Sequence, residues 1–308
     1  MDYIIFILSM AALIKGADLI IKEAEKIALH YGISEFVIGA TLIALGTSLP
    51  EMAASIAASI DHKSDLAVSN VIGSVVLNIT LVLGLVFLLA KDIHPRRDIF
   101  GQDSAWALFP IFIFLLVAYD GTITRAEGAL FLLLMVGYLL FLAHEPTIVA
   151  GEVDEELLQE KFDWLPTILM LIVGFVMVVY GADFAVESAS NIARALGVSE
   201  WVIGLFLVAF GTSLPELVVS VVAALNKKAD MSIGNIIGSN VANFSVVLGS
   251  ASLVHPLKVD IIAYGFDIAT ALIASMMLVF ITANRLYNKS AGIALLVTLA
   301  IFSLHHVH

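Results

Sequence analysis

The 308-residue chain contains no cysteine, which excludes disulfides, thiolate nucleophiles and sulfur-ligated metal centres. It is also poor in charge. Asp, Glu, Lys and Arg make up 14% of it, against about 25% in a soluble domain. The charges it does carry sum to −12, which argues against a nucleic-acid partner. Met1-Asp2 opens no basic stretch, and Lys15 falls where a signal peptide would be apolar. The first segment is therefore expected to be a retained membrane helix, not a cleaved signal.

What is abundant is apolar surface. Hydrophobic residues make up 60% of the chain and the mean hydropathy is +1.02. Apolar stretches recur that are each long enough to cross a bilayer. The pattern predicts an all-α membrane protein with ten spans, near 3–27, 34–60, 66–90, 104–119, 126–143, 165–194, 200–225, 231–253, 261–282 and 289–304. Helices are the expected form because lipid offers no partner to unpaired backbone groups. Residues 146–163 are acidic, with Glu152, Asp154, Glu155, Glu156, Glu160 and Asp163. They read as a solvated linker between two halves, 1–145 and 164–308. Acidic residues without the loop geometry of a calcium motif are weak evidence for a site. Placing the N-terminus outside assigns ten loop Lys and Arg residues to the inner side and four to the outer. That is a positive-inside bias with both termini outside. His305, His306 and His308 read as a solvated tail.

The two halves repeat at a constant offset of 165 residues. Gly16-Ala17-Asp18 matches Gly181-Ala182-Asp183, and Gly46-Thr47-Ser48-Leu49-Pro50-Glu51 matches Gly211-Thr212-Ser213-Leu214-Pro215-Glu216 without a change. Asn70, Gly73, Ser74 and Asn78 match Asn235, Gly238, Ser239 and Asn243. Five spans in each half make the second half enter the membrane from the opposite side. The fold class expected is thus ten transmembrane helices as two inverted five-helix repeats. In such transporters the substrate sits near the midplane at the repeat interface.

Glu51 and Glu216 lie inside spans, where an ionisable side chain is costly and marks a functional site by default. Ala44, Thr47, Ser48 and Glu51 are spaced by three and four, so on a continuous helix they share a face. Pro50 and Pro215 lack an N–H, which frees the carbonyls of Gly46 and Gly211. Ser74 and Asn78 stack one turn apart, as do Ser239 and Asn243. Taken alone, each of these pairs reads as helix–helix packing. Together with the glutamates they supply carboxylate, hydroxyl, amide and carbonyl oxygens. Calcium takes six to eight such ligands.

These motifs resemble the two α-repeats of the calcium/cation antiporter superfamily, and within it the prokaryotic sodium/calcium exchangers. The resemblance covers nearly the whole chain. It implies that Glu51 and Glu216 are central Ca2+ ligands shared with Na+, that Thr47 and Thr212 offer backbone carbonyls, and that Ser48 and Ser213 line the pocket. It further implies that Ala44 with Ser74, and Ala209 with Ser239, form flanking Na+ sites, and that Asn78 and Asn243 face the centre. Gly16 and Gly181 would be small contacts on spans that slide. The transported ions would be Ca2+ and Na+, with no cofactor and the lipid bilayer as surroundings. A prokaryotic inner membrane is the location implied, and the oligomeric state stays open, a monomer being compatible. Exchange of three Na+ for one Ca2+, as in that branch, moves one net charge, worth ~2.3 kcal/mol per 100 mV. Potassium-dependent relatives carry an aspartate where this chain has Asn243, so no K+ requirement is expected. A proton/calcium antiporter, a passive channel and, from another class, an intramembrane acid/base enzyme remain as alternative readings.

Overall fold

The computed structural model describes residues 1–90, 93–144, 162–198 and 210–307. The sequence's acidic linker falls almost wholly outside them, as do Ala209 and most of the first half of the span read at 200–225. In chain order the helices are α1 (Asp2–Tyr31), α2 (Glu35–Thr47), α3 (Leu49–Ile60), α4 (Ser64–Leu89), α5 (Ile99–Val117) and α6 (Arg125–Ala143), with the short strand β1 (Thr122–Ile123) between the last two. Then follow α7 (Trp164–Ala195), α8 (Leu214–Leu225), α9 (Ala229–Val254), strand β2 (Leu257–Lys258), α10 (Gly265–Ala283) and α11 (Lys289–Val307). Among the described residues eight helices are long and apolar enough to cross a membrane, or nine if α2 and α3 form one bent span.

The repeat survives into the structure at the same offset. Helices α3 and α8 begin at Leu49 and Leu214 and end at Ile60 and Leu225. Helices α4 and α9 begin at Ser64 and Ala229 and end at Leu89 and Val254. They are also the two most enclosed spans, each 83% buried over its most apolar window, against 17–44% for the other long helices. They are therefore the centre of the bundle. The other long helices leave apolar side chains such as Leu116, Leu133, Leu165 and Phe280 on the outer surface, as a lipid-facing wall requires.

Two departures from regular helix matter for the site. The span read at 34–60 is not one continuous helix. It breaks at Ser48 and turns by 43° between α2 and α3. Pro50 is the cause: it falls in the first turn of α3, where a missing N–H leaves no bond unmade. Inside α4 and α9, π-helical turns begin at Asn78 and Asn243, and a third covers Gly39–Ile43 in α2. A wide turn withdraws an N–H from a carbonyl four residues back. Each turn carries a hydroxyl that bonds such a carbonyl: Thr41 to Val37 O at 2.6 Å, Thr80 to Val76 O at 2.6 Å and Ser245 to Val241 O at 2.5 Å. Such turns inside helices concentrate at functional sites.

Close backbone packing sets the spacing of the central helices. A Cβ on Gly39 would meet Met231 O at 2.4 Å, and one on Gly234 would meet Phe36 O at 2.4 Å, so α9 lies directly against the backbone of α2. Helices α1 and α7 pack on each other through Gly16 and Gly181. A Cβ at Gly16 would lie 2.8 Å from Gly174 O, and one at Gly181 would lie 3.1 Å from Ser9 O. This pair forms its own apolar cluster with Val218, Val219 and Met231 of α8 and α9.

Polar clusters flank the two ends of α9. At one end Lys228 pairs with Glu25 and, at 3.1 Å, with Glu35, while Asp230 accepts from the backbone N–H groups of Arg96 and Arg97. Arg97 also makes a two-pronged bond to buried Asp103 and lies over the Phe36 ring. At the other end Arg125 bonds Val254 O, His62 touches His255, and β1 pairs with β2. Burial alone would lower the Lys228 pKa, but the hydrogen bond to Glu25 and the charge of Glu35 outweigh it and hold it above the usual lysine value. Lys228→Met leaves two carboxylates without their cation, and should destabilise the protein by about 2 kcal/mol, between the exposed and buried limits for ion pairs. Lys63→Met, at a pair that is 63% and 61% exposed, should leave the thermal midpoint in detergent unchanged. Equal midpoints for the two variants would remove any structural weight from the Lys228 cluster.

The C-terminal histidines, read from the sequence as a solvated tail, are carried on a helix, with His305 exposed. Helix α11 continues through Val307, and His306 Nε2 lies 3.1 Å from Asp267 Oδ1. His308 lies outside the described residues.

Candidate cation site

The break after Thr47 changes how the motif is presented. Ala44 and Thr47 end α2, Ser48 is the hinge, and Glu51 lies in the first turn of α3. The four residues therefore do not share the face of one helix, as their spacing alone suggested. Instead the carboxylate sits at a helix N-terminus, where the backbone dipole favours negative charge. Glu216 has the same place in the first turn of α8.

The two motifs meet. Ser48 Oγ donates to Glu216 Oε1 at 3.1 Å, and Ser213 Oγ donates to Glu51 Oε1 at 3.3 Å. Each glutamate is thus held by the serine of the other half. Both are fully buried. The second carboxylate oxygen of each, Oε2, has no hydrogen-bond partner among the described residues, and neither carboxylate is in an ion pair there. Buried polar atoms nearly always have partners, and an exception calls for an explanation such as an ion.

Around them lie the other expected residues. Ser74 is within hydrogen-bond distance of Ser213, at 3.2 Å. Asn78, Ser239 and Asn243 are buried on α4 and α9, and Asn78 Oδ1, Ser239 Oγ and both amide atoms of Asn243 also lack partners among the described residues. Ala44 is buried, its carbonyl accepts from the Ser48 N–H, and the Thr47 hydroxyl lies 3.3 Å from the same oxygen. Of the sequence's twelve candidates only Ala209 falls outside the described residues. Among the described residues no group of three or more His, Asp or Glu side chains is arranged to hold a metal ion. Two carboxylates and a shell of neutral oxygens suit a hard cation held loosely enough to leave.

The structure adds residues that the sequence reading passed over. Thr47 Oγ1 donates to Asn235 Oδ1 and Thr212 Oγ1 to Asn70 Oδ1, both at 3.4 Å. Asn70 Nδ2 is shared between Ser55 Oγ at 2.9 Å and the Glu51 carbonyl at 3.2 Å, and Asn235 Nδ2 donates to Ser220 Oγ at 2.9 Å. Asn70 and Asn235 stood out in the repeat without a role. They fasten the hinge of one half to the helix of the other. Ser55 and Ser220 are also 165 residues apart, which was the signal available. Asp18 and Asp183, which also repeat, do not meet the glutamates. Asp18 accepts from Asn226 at 3.3 Å. Asp183 lines a cavity of about 630 Å³ together with Glu187, Ser190, Asn70, Gly211 and Thr212. The cavity therefore reaches the rim of the site.

Comparison with known proteins agrees with this geometry. The family model described as sodium/calcium exchanger protein matches residues 1–143 and 166–307. The chain is 36% identical to the uncharacterized membrane protein MJ0091 of Methanocaldococcus jannaschii, over 94% of this chain and 93% of that one. It is 32% identical to the sodium/calcium exchanger MaX1 of Methanosarcina acetivorans, over 96% and 95%. A solved structure of the sodium-calcium exchanger NCX_Mj, soaked with zero Na+ and Ca2+, superposes with a TM-score of 0.82 at 33% identity, covering 98% of each chain. Proteins of this kind are exchangers and not enzymes, so the buried acid pair is no catalytic dyad. With the motifs, the crossed serine–glutamate bonds and these matches in agreement, the chain belongs to the sodium/calcium exchanger protein family.

Proposed function

We propose that this protein is a secondary antiporter that drives Ca2+ across the membrane against Na+, without K+ and with net charge movement. Its ten helices would form two inverted five-helix repeats, 1–145 and 164–308, joined by the linker 146–163, with both termini outside. The observation that carries the reading is the pair of buried glutamates, each with one oxygen held by the opposite half and the other oxygen unpartnered. Two carboxylates balance one Ca2+ and offset its desolvation cost. The hydroxyl and amide oxygens around them can hold smaller monovalent cations in the same space. Antiport follows from that sharing: one ion leaves because the other takes its ligands. Thr47, Thr212, Ser48, Ser213, Ala44, Ala209, Ser74, Ser239, Asn78 and Asn243 complete the ligand shell in this reading. The absence of an acid at Asn78 and Asn243 favours Na+ coupling over H+ coupling and over K+ dependence.

Reconstitution tests the reading. Proteoliposomes loaded with Na+ and diluted into Na+-free medium should take up radiolabelled Ca2+, and dissipating the Na+ gradient should stop the uptake. An inside-positive potential should accelerate it, because more positive charge leaves with Na+ than enters with Ca2+. Uptake that follows a pH gradient and ignores Na+ would make this a proton/calcium antiporter. A strict K+ requirement would refute the argument from Asn243.

A further inference from the structure

Asn78 and Asn243 are equivalent by sequence but not by surroundings. Asn78 donates its Nδ2 to Asn240 Oδ1 at 3.0 Å, across the boundary between the two halves. Its own Oδ1 is buried and has no hydrogen-bond partner among the described residues. Asn240 follows Ser239 on α9 and is itself buried. The residue 165 positions earlier is Val75, also buried, whose side chain has neither donor nor acceptor. Asn243 accordingly has no partner for its Nδ2 or its Oδ1 among the described residues.

The difference matters because a carboxamide has two unlike ends. Its oxygen coordinates a cation and its NH2 repels one. With Asn240 as it stands, turning Asn78 over would break the bond between them and set two carbonyl oxygens against each other inside the bundle, which a buried acceptor tolerates poorly. No such bond restrains Asn243. We propose that Asn240 is a positioning residue that locks Asn78 with its oxygen toward the transported cation, so that one half of the site is set before the ion arrives and the other is not. The proposal rests on the cation-site reading above. A ligand fixed in advance needs no ordering when the ion binds, and binding is tighter for it. The repeat is thereby asymmetric at a position where its sequence motif is symmetric.

A double-mutant cycle on the full-length purified protein tests this, with equilibrium binding of Ca2+ in Na+-free buffer as the readout. Asn240→Val should weaken Ca2+ binding about tenfold, the loss of one buried hydrogen-bond partner. Asn78→Ala should weaken it at least as much. The double variant should bind no worse than Asn78→Ala alone, because Asn240 acts through Asn78. Additive losses would overturn the proposal, since distant and independent sites add, and so would an Asn240→Val protein that binds like the wild type. Asn240→Asp keeps the acceptor oxygen and should restore binding to at least the wild-type level. If it binds as weakly as expected for Asn240→Val, the proposal fails, and this arm stands even if the valine variant does not fold. A wild-type protein that binds no Ca2+ would refute the cation site itself. Wild-type binding with additive variants refutes only the role of Asn240.

Discussion

Glu51→Gln and Glu216→Gln should each reduce Na+-dependent Ca2+ uptake by at least about 100-fold while leaving a well-folded protein. The size follows from charge. Removing one carboxylate leaves a divalent cation with half of its neutralising charge in a water-poor site, and unbalancing a buried pair typically costs ~3–5 kcal/mol. The fold should not suffer. Glutamine keeps the shape, and its carbonyl can still accept from Ser213 at position 51 or from Ser48 at position 216. Without ions the second oxygen of each glutamate has no partner among the described residues, so a neutral replacement removes a desolvation cost and gives up no bond. The thermal midpoint in ion-free detergent should therefore stay level or rise. Added Ca2+ should raise the midpoint of the wild type, by an amount equivalent to ~2.7 kcal/mol at 100 times Kd, and should do nothing for either variant. Wild-type uptake by either variant would remove the glutamates from the site. A large fall in the ion-free midpoint would show that they are structural.

Gly238→Ala should be among the most damaging glycine-to-alanine changes at the described residues. A Cβ there would lie 2.3 Å from Ala40 O and 2.6 Å from Ala40 Cα. Both are backbone atoms of α2, inside its π-helical turn, and neither can rotate away. The only relief is to push α9 off α2. Overpacking a core costs ~1–3 kcal/mol, and rigid backbone neighbours place this case at the top of that range. The functional loss should exceed the stability loss. Ser239 and Asn243 ride on the same helix, and a displacement of about 1 Å in a positioned group can cost ~100-fold in rate. The expected result is a lower thermal midpoint, less monodisperse protein and a large loss of transport. Gly137→Ala is the control: its nearest neighbour is Trp106 at 3.9 Å, so it should behave as the wild type. Normal transport by Gly238→Ala would show that the two helices are not held at this spacing during the cycle.

Much of the site was legible in one dimension because the chain states it twice. An exact repeat of six residues around Glu51 and Glu216 ties those positions to each other without any structure. The structure then brings them together through Ser48 and Ser213. The chemistry of each residue type was legible too: a buried acid beside hydroxyls and amides reads as a cation site wherever it sits. The hinge was only half legible. Proline promised a freed carbonyl, but whether a helix kinks or stops and restarts depends on what packs around it. Here it restarts, and Glu51 moves from mid-helix to a helix N-terminus. Asn70 and Asn235 repeat, yet nothing in their spacing says that they clamp the opposite hinge.

The sequence by itself determined the membrane setting, the repeat, the carbonyls freed by Pro50 and Pro215 and the oxygen-rich donors. All of these follow from composition, period and local backbone chemistry. The tertiary structure decided what depends on which atoms of distant segments come within hydrogen-bond reach. It crossed the serine–glutamate bonds between halves, since the hinge of one faces the helix start of the other. It set α9 against the backbone of α2, because glycines there leave room for nothing else. It also made Asn78 and Asn243 unequal, because only one of them meets a second asparagine across the interface. No spacing within either half contains that pairing.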